Sequence, residues 1–137
     1  MRQESCQERL NSELQDRLKD IRTLWRLYQR NPEVTHQELG KFEEYGLSFD
    51  YVAKGTFQDQ KRGYFRWQLS WGGPADEFRF YLDENLDAVK IEYWFLDWNE
   101  GASKRLSGTA YKLLDEIFQY FKDLGVVEAE RSKSLSC

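Results

Sequence analysis

The chain of 137 residues is 40% hydrophobic, 32% charged and 16% aromatic, which fits one folded domain and excludes a disordered chain. Its net charge is −4: residues 1–30 hold seven basic and five acidic side chains (+2), residues 31–100 hold seven and fourteen (−7), and residues 101–137 hold six and five (+1). The acidic central segment argues against direct binding to nucleic acid, because such domains need a basic face to displace phosphate counterions.

The first predicted element is a long helix over residues 1–31, which ends there because the residue before Pro32 is pushed out of the helical region. Its apolar residues recur every three or four positions and so share one stripe: Leu10, Leu14, Leu18, Ile21, Trp25 and Tyr28. The sequence leaves two uses of this stripe open. Either it packs on the protein's own sheet, or it forms a coiled-coil seam with a second copy, which would make a homodimer.

A short second helix is predicted over residues 33–46, with Gly46 as its C-terminal cap, although Gly40 weakens the helical pattern. From Leu47 the period changes to two, and polar clusters separate four alternating runs at residues 47–54, 64–71, 77–82 and 89–96. The alternation predicts a four-stranded antiparallel meander over residues 47–98, with one face open to water and the other packed against helices.

The last predicted helix spans residues 107–124, with Ser107 as its N-cap and Gly125 directly after its end. It has a broad apolar face: Leu113, Leu114, Ile117, Phe118, Phe121 and Leu124. Residues 126–137 are polar and are expected to form a frayed tail. The predicted fold class is therefore α+β: one domain over residues 1–125, with the long N-terminal, short second and C-terminal helices packed on one face of the meander.

Few residues in the chain offer metal or nucleophilic chemistry. His36 is the only histidine, and Cys6 and Cys137 lie near opposite ends of the chain, which indicates free thiols in a reducing cytoplasm. We therefore expect no metal site and no cofactor. No apolar run approaches the roughly 20 residues that cross a bilayer, and the N-terminus lacks the apolar centre of a signal peptide, so no membrane partner is expected either.

The stretch LSWGGPADE, residues 69–77, has two interpretations. In the first it is a plain turn, in which the two glycines supply unusual φ values, Asp76 bonds back to the backbone and the nearby indoles belong to the core. In the second it is part of an interaction surface, because strands two and four of a meander run parallel and end at one edge of the sheet. The candidate partner-binding residues are Trp71, Gly72, Gly73, Pro74, Asp76, Glu77, Asp97, Trp98 and Glu100.

The same segment resembles a group of small, largely uncharacterised proteins of plasmids, phages and integrated elements. Their shared pattern is LSWGGP, then an aromatic strand, then DWxxxA, and here it matches Leu69 to Pro74, Asp97, Trp98 and Ala102. The resemblance covers about residues 46–124. It implies a context among the accessory genes of mobile elements and supplies no activity.

Three hypotheses on function follow from these observations. The first is a non-enzymatic protein binder that inhibits a host nuclease defence, in the manner of an anti-CRISPR or anti-restriction protein. It would act through an acidic and aromatic surface that occupies a nucleic-acid-binding groove on its target. The second is a structural or regulatory homodimer built on the N-terminal stripe. The third is a hydrolase that uses Asp97 with Asp76, Glu77 or Glu100, since two carboxyl groups about 5 to 9.5 Å apart can cleave a glycoside.

Overall fold

The computed structural model describes residues 5–53, 56, 62–71, 74–97 and 100–135, which form an α+β protein. The described helices are α1 (Cys6–Arg30), α2 (Gly108–Asp123) and α3 (Val126–Leu135), and a short 3-10 turn spans Phe42–Glu44. The described strands are β1 (Ser48–Val52), β2 (Tyr64–Ser70), β3 (Ala75–Leu82), β4 (Ala88–Asp97) and β5 (Glu100–Arg105).

The strands form one antiparallel sheet in the order β1-β2-β3-β4-β5, so every strand pairs with its neighbours in the chain. This confirms the antiparallel meander but corrects its size, because β5 was predicted as the connection to the last helix. The segment GASKR carries no apolar alternation, and β5 forms because its backbone pairs with β4, with Ala102 opposite Phe95 and Lys104 opposite Tyr93.

The predicted second helix over residues 33–46 is wrong, since the described chain there contains only the 3-10 turn Phe42–Glu44. His36 and Gly40 instead close a small loop with two backbone hydrogen bonds, and Gly40 has φ +81°, which helix does not allow. The His36 imidazole stabilises this loop, because its Nδ1 accepts hydrogen bonds from the backbone N–H groups of Glu38 and Leu39.

Helix α1 begins at a capped N-terminus, where the Ser5 hydroxyl accepts a hydrogen bond from the backbone N–H of Glu8. Its predicted stripe is buried in the protein's own core, packed on β4, β5 and α2, and it gains Leu24, which the pattern had not included. Five members of the stripe are at most 7% exposed and Tyr28 is half-buried: Leu10, Leu14, Leu18, Ile21 and Trp25. A homodimer seam built on this stripe is therefore excluded, because the same side chains already fill the core.

Helix α2 contributes the fully buried Leu114, Ile117 and Phe118 to the same core, as its apolar pattern predicted. The predicted N-cap residue Ser107 precedes the helix but makes no side-chain capping hydrogen bond. A frayed polar tail was expected over residues 126–137, and this is wrong for residues 126–135, which form the helix α3. Gly125, at φ +82°, turns the chain so that Val127 enters the core with no exposed surface.

The two faces of the sheet differ in chemistry. The face under α1 and α2 carries the buried rings of Phe65, Phe78, Phe80 and Tyr93. The opposite face carries a row of charged residues across the five strands: Asp50, Arg66, Arg79, Glu92 and Arg105. On that face Tyr64 and Tyr81 form a second, smaller apolar cluster with Val52.

Candidate interaction site

The candidate carboxylates Asp76 and Glu77 are both buried and point to opposite faces of β3, as neighbouring residues on a strand must. Asp76 is 1% exposed and faces the core beneath α1. Glu77 is 3% exposed on the other face, where it accepts a hydrogen bond of 2.8 Å from Arg79 Nε. Neither carboxyl group is available at the surface to a partner protein, and the two do not share one site.

Asp76 is the centre of a buried polar network that fastens α1 to the sheet. Arg17 of α1 binds both carboxylate oxygens, with Nε 2.7 Å from Oδ2 and Nη2 3.1 Å from Oδ1. The hydroxyls of Tyr93, at 2.6 Å, and Ser70 also donate to the carboxylate. Arg17 in turn donates from Nη1 to the Tyr45 hydroxyl at 3.0 Å. The aspartate of the PADE segment is therefore a structural clamp.

The electrostatics of this network favour a charged arginine beside a neutral phenol. Burial opposes the charge of Arg17, but its hydrogen bonds to Asp76 and Tyr45 outweigh burial and raise its pKa. Burial, followed by the hydrogen bond to Asp76, raises the pKa of Tyr93 far above its ordinary value. The network holds the guanidinium of Arg17 and the carboxylate of Asp76 in a fixed geometry and so fastens α1 to the sheet.

Asp97 lies at the same end of the sheet as Pro74, because Ala75 pairs with Leu96 across β3 and β4. This confirms that β2 and β4 end at the same edge of the sheet. Asp97 forms an ion pair with Arg9 of α1, whose guanidinium also lies 5.1 Å from the centre of the Phe95 ring. Arginines of α1 therefore occupy both carboxylates, Asp76 and Asp97.

Trp71 is a surface residue with 77% of its area exposed, and Pro74 is exposed too. The first interpretation of the LSWGGPADE stretch, a plain turn, placed the nearby indoles in the core. For Trp71 this is wrong. The other candidates Gly72, Gly73 and Trp98, and the side chain of Glu100, lie outside the described residues.

The structure adds a feature that the sequence did not predict, an apolar groove with a volume of about 470 Å³. It lies between the end of α1, the turn Phe42–Glu44, the start of β1 and the end of α2. Most of its walls are aromatic and half-buried or buried: Tyr28, Phe42, Phe49, Trp67, Tyr120 and Phe121. We call this feature the aromatic groove.

Two leucines at the rim of the aromatic groove are exposed. Leu47 is 61% exposed, and Leu124 is 58% exposed although it belongs to the apolar face predicted for the last helix. Leu47 precedes β1 and is bound to the sheet only by its backbone N–H, which donates to the carbonyl of Gln68 at 2.7 Å. Trp71 follows β2 at this same end of the sheet, three residues beyond Gln68.

The aromatic groove carries negative charge at one side. A hydrogen bond between Tyr28 and Tyr120, then burial, then the neighbouring Glu43 raise the pKa of the Tyr28 hydroxyl. Glu43 lines the groove and is exposed, and Glu44 beside it is exposed as well. The groove therefore combines an apolar floor with an acidic border, which suits an occupant that is apolar at its centre and basic at its edge.

Comparison of the chain with protein-family models, with curated proteins and with solved structures found no match. The described residues contain no group of three or more His, Cys, Asp or Glu side chains that could hold a metal ion. Within the same ranges, each helix is too short or too polar to cross a membrane. What the fold and the groove define is an α+β protein with an aromatic groove at one end of a five-stranded meander.

Proposed function

We propose that this chain is a non-enzymatic accessory protein that binds another protein through the aromatic groove and the exposed Trp71. The supporting observation is the distribution of apolar surface. Four large apolar side chains are exposed among the described residues, and Leu47 and Leu124 line this one groove, while Trp71 lies at the same end of the sheet. Exposed leucines and a tryptophan beside a concave apolar surface are typical of a protein interface.

A protein partner explains the groove better than a small ligand does. A small ligand would fill the floor of the groove but leave the outward parts of Leu47 and Leu124 in water, whereas a protein surface covers both leucines and the floor. The acidic border formed by Glu43 and Glu44 favours a partner that presents basic side chains around its apolar contact. A partner with these properties has a surface that is mixed apolar and basic.

The sequence pattern at Leu69 to Pro74, Asp97, Trp98 and Ala102 resembles proteins of mobile elements, which makes a host nuclease defence complex the first partner class to test. Such complexes bind nucleic acid through basic surfaces, which complements the acidic border of the groove. On this proposal the protein blocks its target sterically.

The experiment compares matched single variants. Tagged wild-type protein, Leu47→Glu, Leu124→Glu and Val89→Glu are each incubated with lysate of a bacterial host, and captured proteins are identified by mass spectrometry. Val89 is the control, because it is an exposed apolar residue (44%) outside the groove. The partner is then purified, its affinity for each variant is measured by calorimetry, and its nuclease activity is assayed with and without the protein.

Burying a leucine side chain stabilises a complex by roughly 1.5 to 3 kcal/mol, and a carboxylate in its place must be desolvated, so each groove variant is expected to bind at least about tenfold more weakly. Val89→Glu is expected to bind and inhibit like the wild type. A partner held equally by Leu47→Glu and Val89→Glu contradicts the proposal. Self-association through the groove with no second protein contradicts it too.

A further inference from the structure

A second surface of the molecule has the opposite charge. Along the exposed side of α1, basic residues recur at steps of three and four positions, and one lysine of α2 lies beside them. We call these residues the basic ridge: Lys19, Arg22, Arg26, Arg30 and Lys112. All are exposed except Arg22, which is half-buried.

The basic ridge carries charge that the rest of the described fold does not neutralise. Elsewhere on the same helix, Arg9 and Arg17 form ion pairs with Asp97 and Asp76 of the sheet. Among the described residues, the ridge members form no ion pair and no side-chain hydrogen bond. The two arginines that fasten the helix are thus distinct from the cations that face outward.

The ridge borders two shallow clefts of about 500 and 430 Å³. The first lies between α1 and α2 and is lined by Arg22, Arg26 and Lys112, and the second is lined by Lys19, Arg22 and Arg26. One carboxylate lines each cleft: Glu116 in the first, where it accepts a hydrogen bond of 3.1 Å from the Trp25 indole, and Asp16 in the second. The positive charges outnumber the negative ones in both.

We propose that the basic ridge binds the phosphate backbone of a nucleic acid. From Lys19 to Arg30 the helix rises about 16 Å, and over that length one strand of a duplex carries about five phosphates. Four cations lie along α1 and Lys112 lies beside them on α2, so with one contact per cation the ridge makes up to about five phosphate contacts. The ridge lies outside the aromatic groove and binds independently of it.

Two features favour phosphate over an acidic protein surface. Three of the five cations are arginines, whose planar forks bind two phosphate oxygens at once. The clefts also contain neutral hydrogen-bond donors, Thr23, Gln29 and Thr109, of the kind that contact phosphate oxygens. The acidic segment that argued against nucleic acid spans residues 31–100, whereas every residue of the basic ridge lies outside it, on α1 and α2.

The test is fluorescence anisotropy with a labelled 20-base-pair DNA duplex, from 50 to 200 mM salt. Five phosphate contacts predict that affinity falls with a log–log slope of about −4.5, or about 500-fold over this range. Arg22→Glu/Arg26→Glu is expected to weaken binding at 50 mM salt at least about thirtyfold. The matched control Lys104→Glu/Arg105→Glu makes the same change in net charge at two exposed residues of β5 and is expected to weaken binding less than threefold.

Circular dichroism verifies that both double variants are folded, and a partly unfolded ridge variant is replaced by Arg26→Gln/Arg30→Gln, which keeps the side-chain size closer to the original. Equal losses in the ridge and control variants would show a general charge effect and overturn the proposal. Absence of duplex binding at 50 mM salt overturns it as well. Polyglutamate that competes with the duplex at equal concentration would identify an acidic polypeptide as the occupant instead, and that result also overturns it.

Discussion

Asp76→Asn is the most informative single substitution, because it removes one charge from the buried clamp and keeps the shape of the side chain. Arg17, with 19% of its side chain exposed, would then face a neutral amide. Removing one partner of a buried ion pair costs about 3 to 5 kcal/mol. Glu13 Oε1 lies 3.7 Å from Arg17 Nε and would offset part of the unpaired positive charge of Arg17. We therefore expect a loss of free energy of unfolding at the lower limit of this range, about 3 kcal/mol.

The assay is urea unfolding, which gives the free energy of unfolding, together with thermal unfolding, both followed by tryptophan fluorescence and circular dichroism. For a chain of this size, a loss of about 3 kcal/mol lowers the melting temperature by about 10 °C. Asp97→Asn is the control, because its partner Arg9 is 37% exposed and such pairs contribute less than about 1 kcal/mol. Adding Arg17→Met to Asp76→Asn should recover part of the loss. Equal and small losses for Asp76→Asn and Asp97→Asn would refute the clamp.

Three further predictions concern local features. Gly46→Ala should destabilise the fold by at least about 1 kcal/mol more than Gly40→Ala. Both glycines have positive φ, but a Cβ at Gly46 would lie 2.7 Å from the indole nitrogen of Trp67, whereas a Cβ at Gly40 would meet no atom within 4 Å. Burial, and next the charge of Glu92, raise the pKa of Tyr81 to about 12, so the unfolded chain releases this proton first and stability should fall as pH rises from about 10 to 12. Val127→Ala should cost about 2 kcal/mol, since it empties a fully buried site.

Each of these predictions has its own check. Chemical unfolding of the two glycine variants separates the effect of the close indole contact from that of backbone strain, because both glycines have positive φ. Equal losses of stability in the two variants would contradict the close contact at Gly46. Tyr81→Phe should reduce the loss of stability as pH rises from about 10 to 12. If the stability of this variant fell with pH as steeply as that of the wild type, the raised pKa of Tyr81 would not be the cause. A Val127→Ala variant as stable as the wild type would mean that α3 does not belong to the core.

The fold was predictable where the apolar pattern is long. The stripe of α1 and the strands around Phe65, Phe80 and Ile91 repeat their period often enough to fix both element and face. Strand β5 was not predictable, because an edge strand paired on one side needs few apolar residues. Helix α3 was missed because its only fully buried side chain among the described ones is Val127, and one residue makes no period.

The candidate site was predictable in position but not in detail. The register of a meander placed Trp71 and Asp97 at one edge correctly. The alternation pointed Trp71 inward, yet the pairing of β2 with β3 shifts between Gln68 and Ser70, which breaks the alternation just before that residue. Asp76 has its partner 59 residues away on α1, and no local pattern reveals such a pairing. The aromatic groove likewise joins segments that are separated in the chain: the end of α1, residues 42–49, Trp67 and the end of α2.

The clamp between α1 and the sheet has a consequence for synthesis on the ribosome. The helix is made first, but the strands on which it docks, β4 and β5, are completed only at Arg105, about 75 residues later. At 5 to 20 residues per second this interval lasts roughly 4 to 15 seconds. Throughout it, the buried leucines of α1 have no sheet to pack on, so the apolar stripe of the nascent helix is open to chaperones.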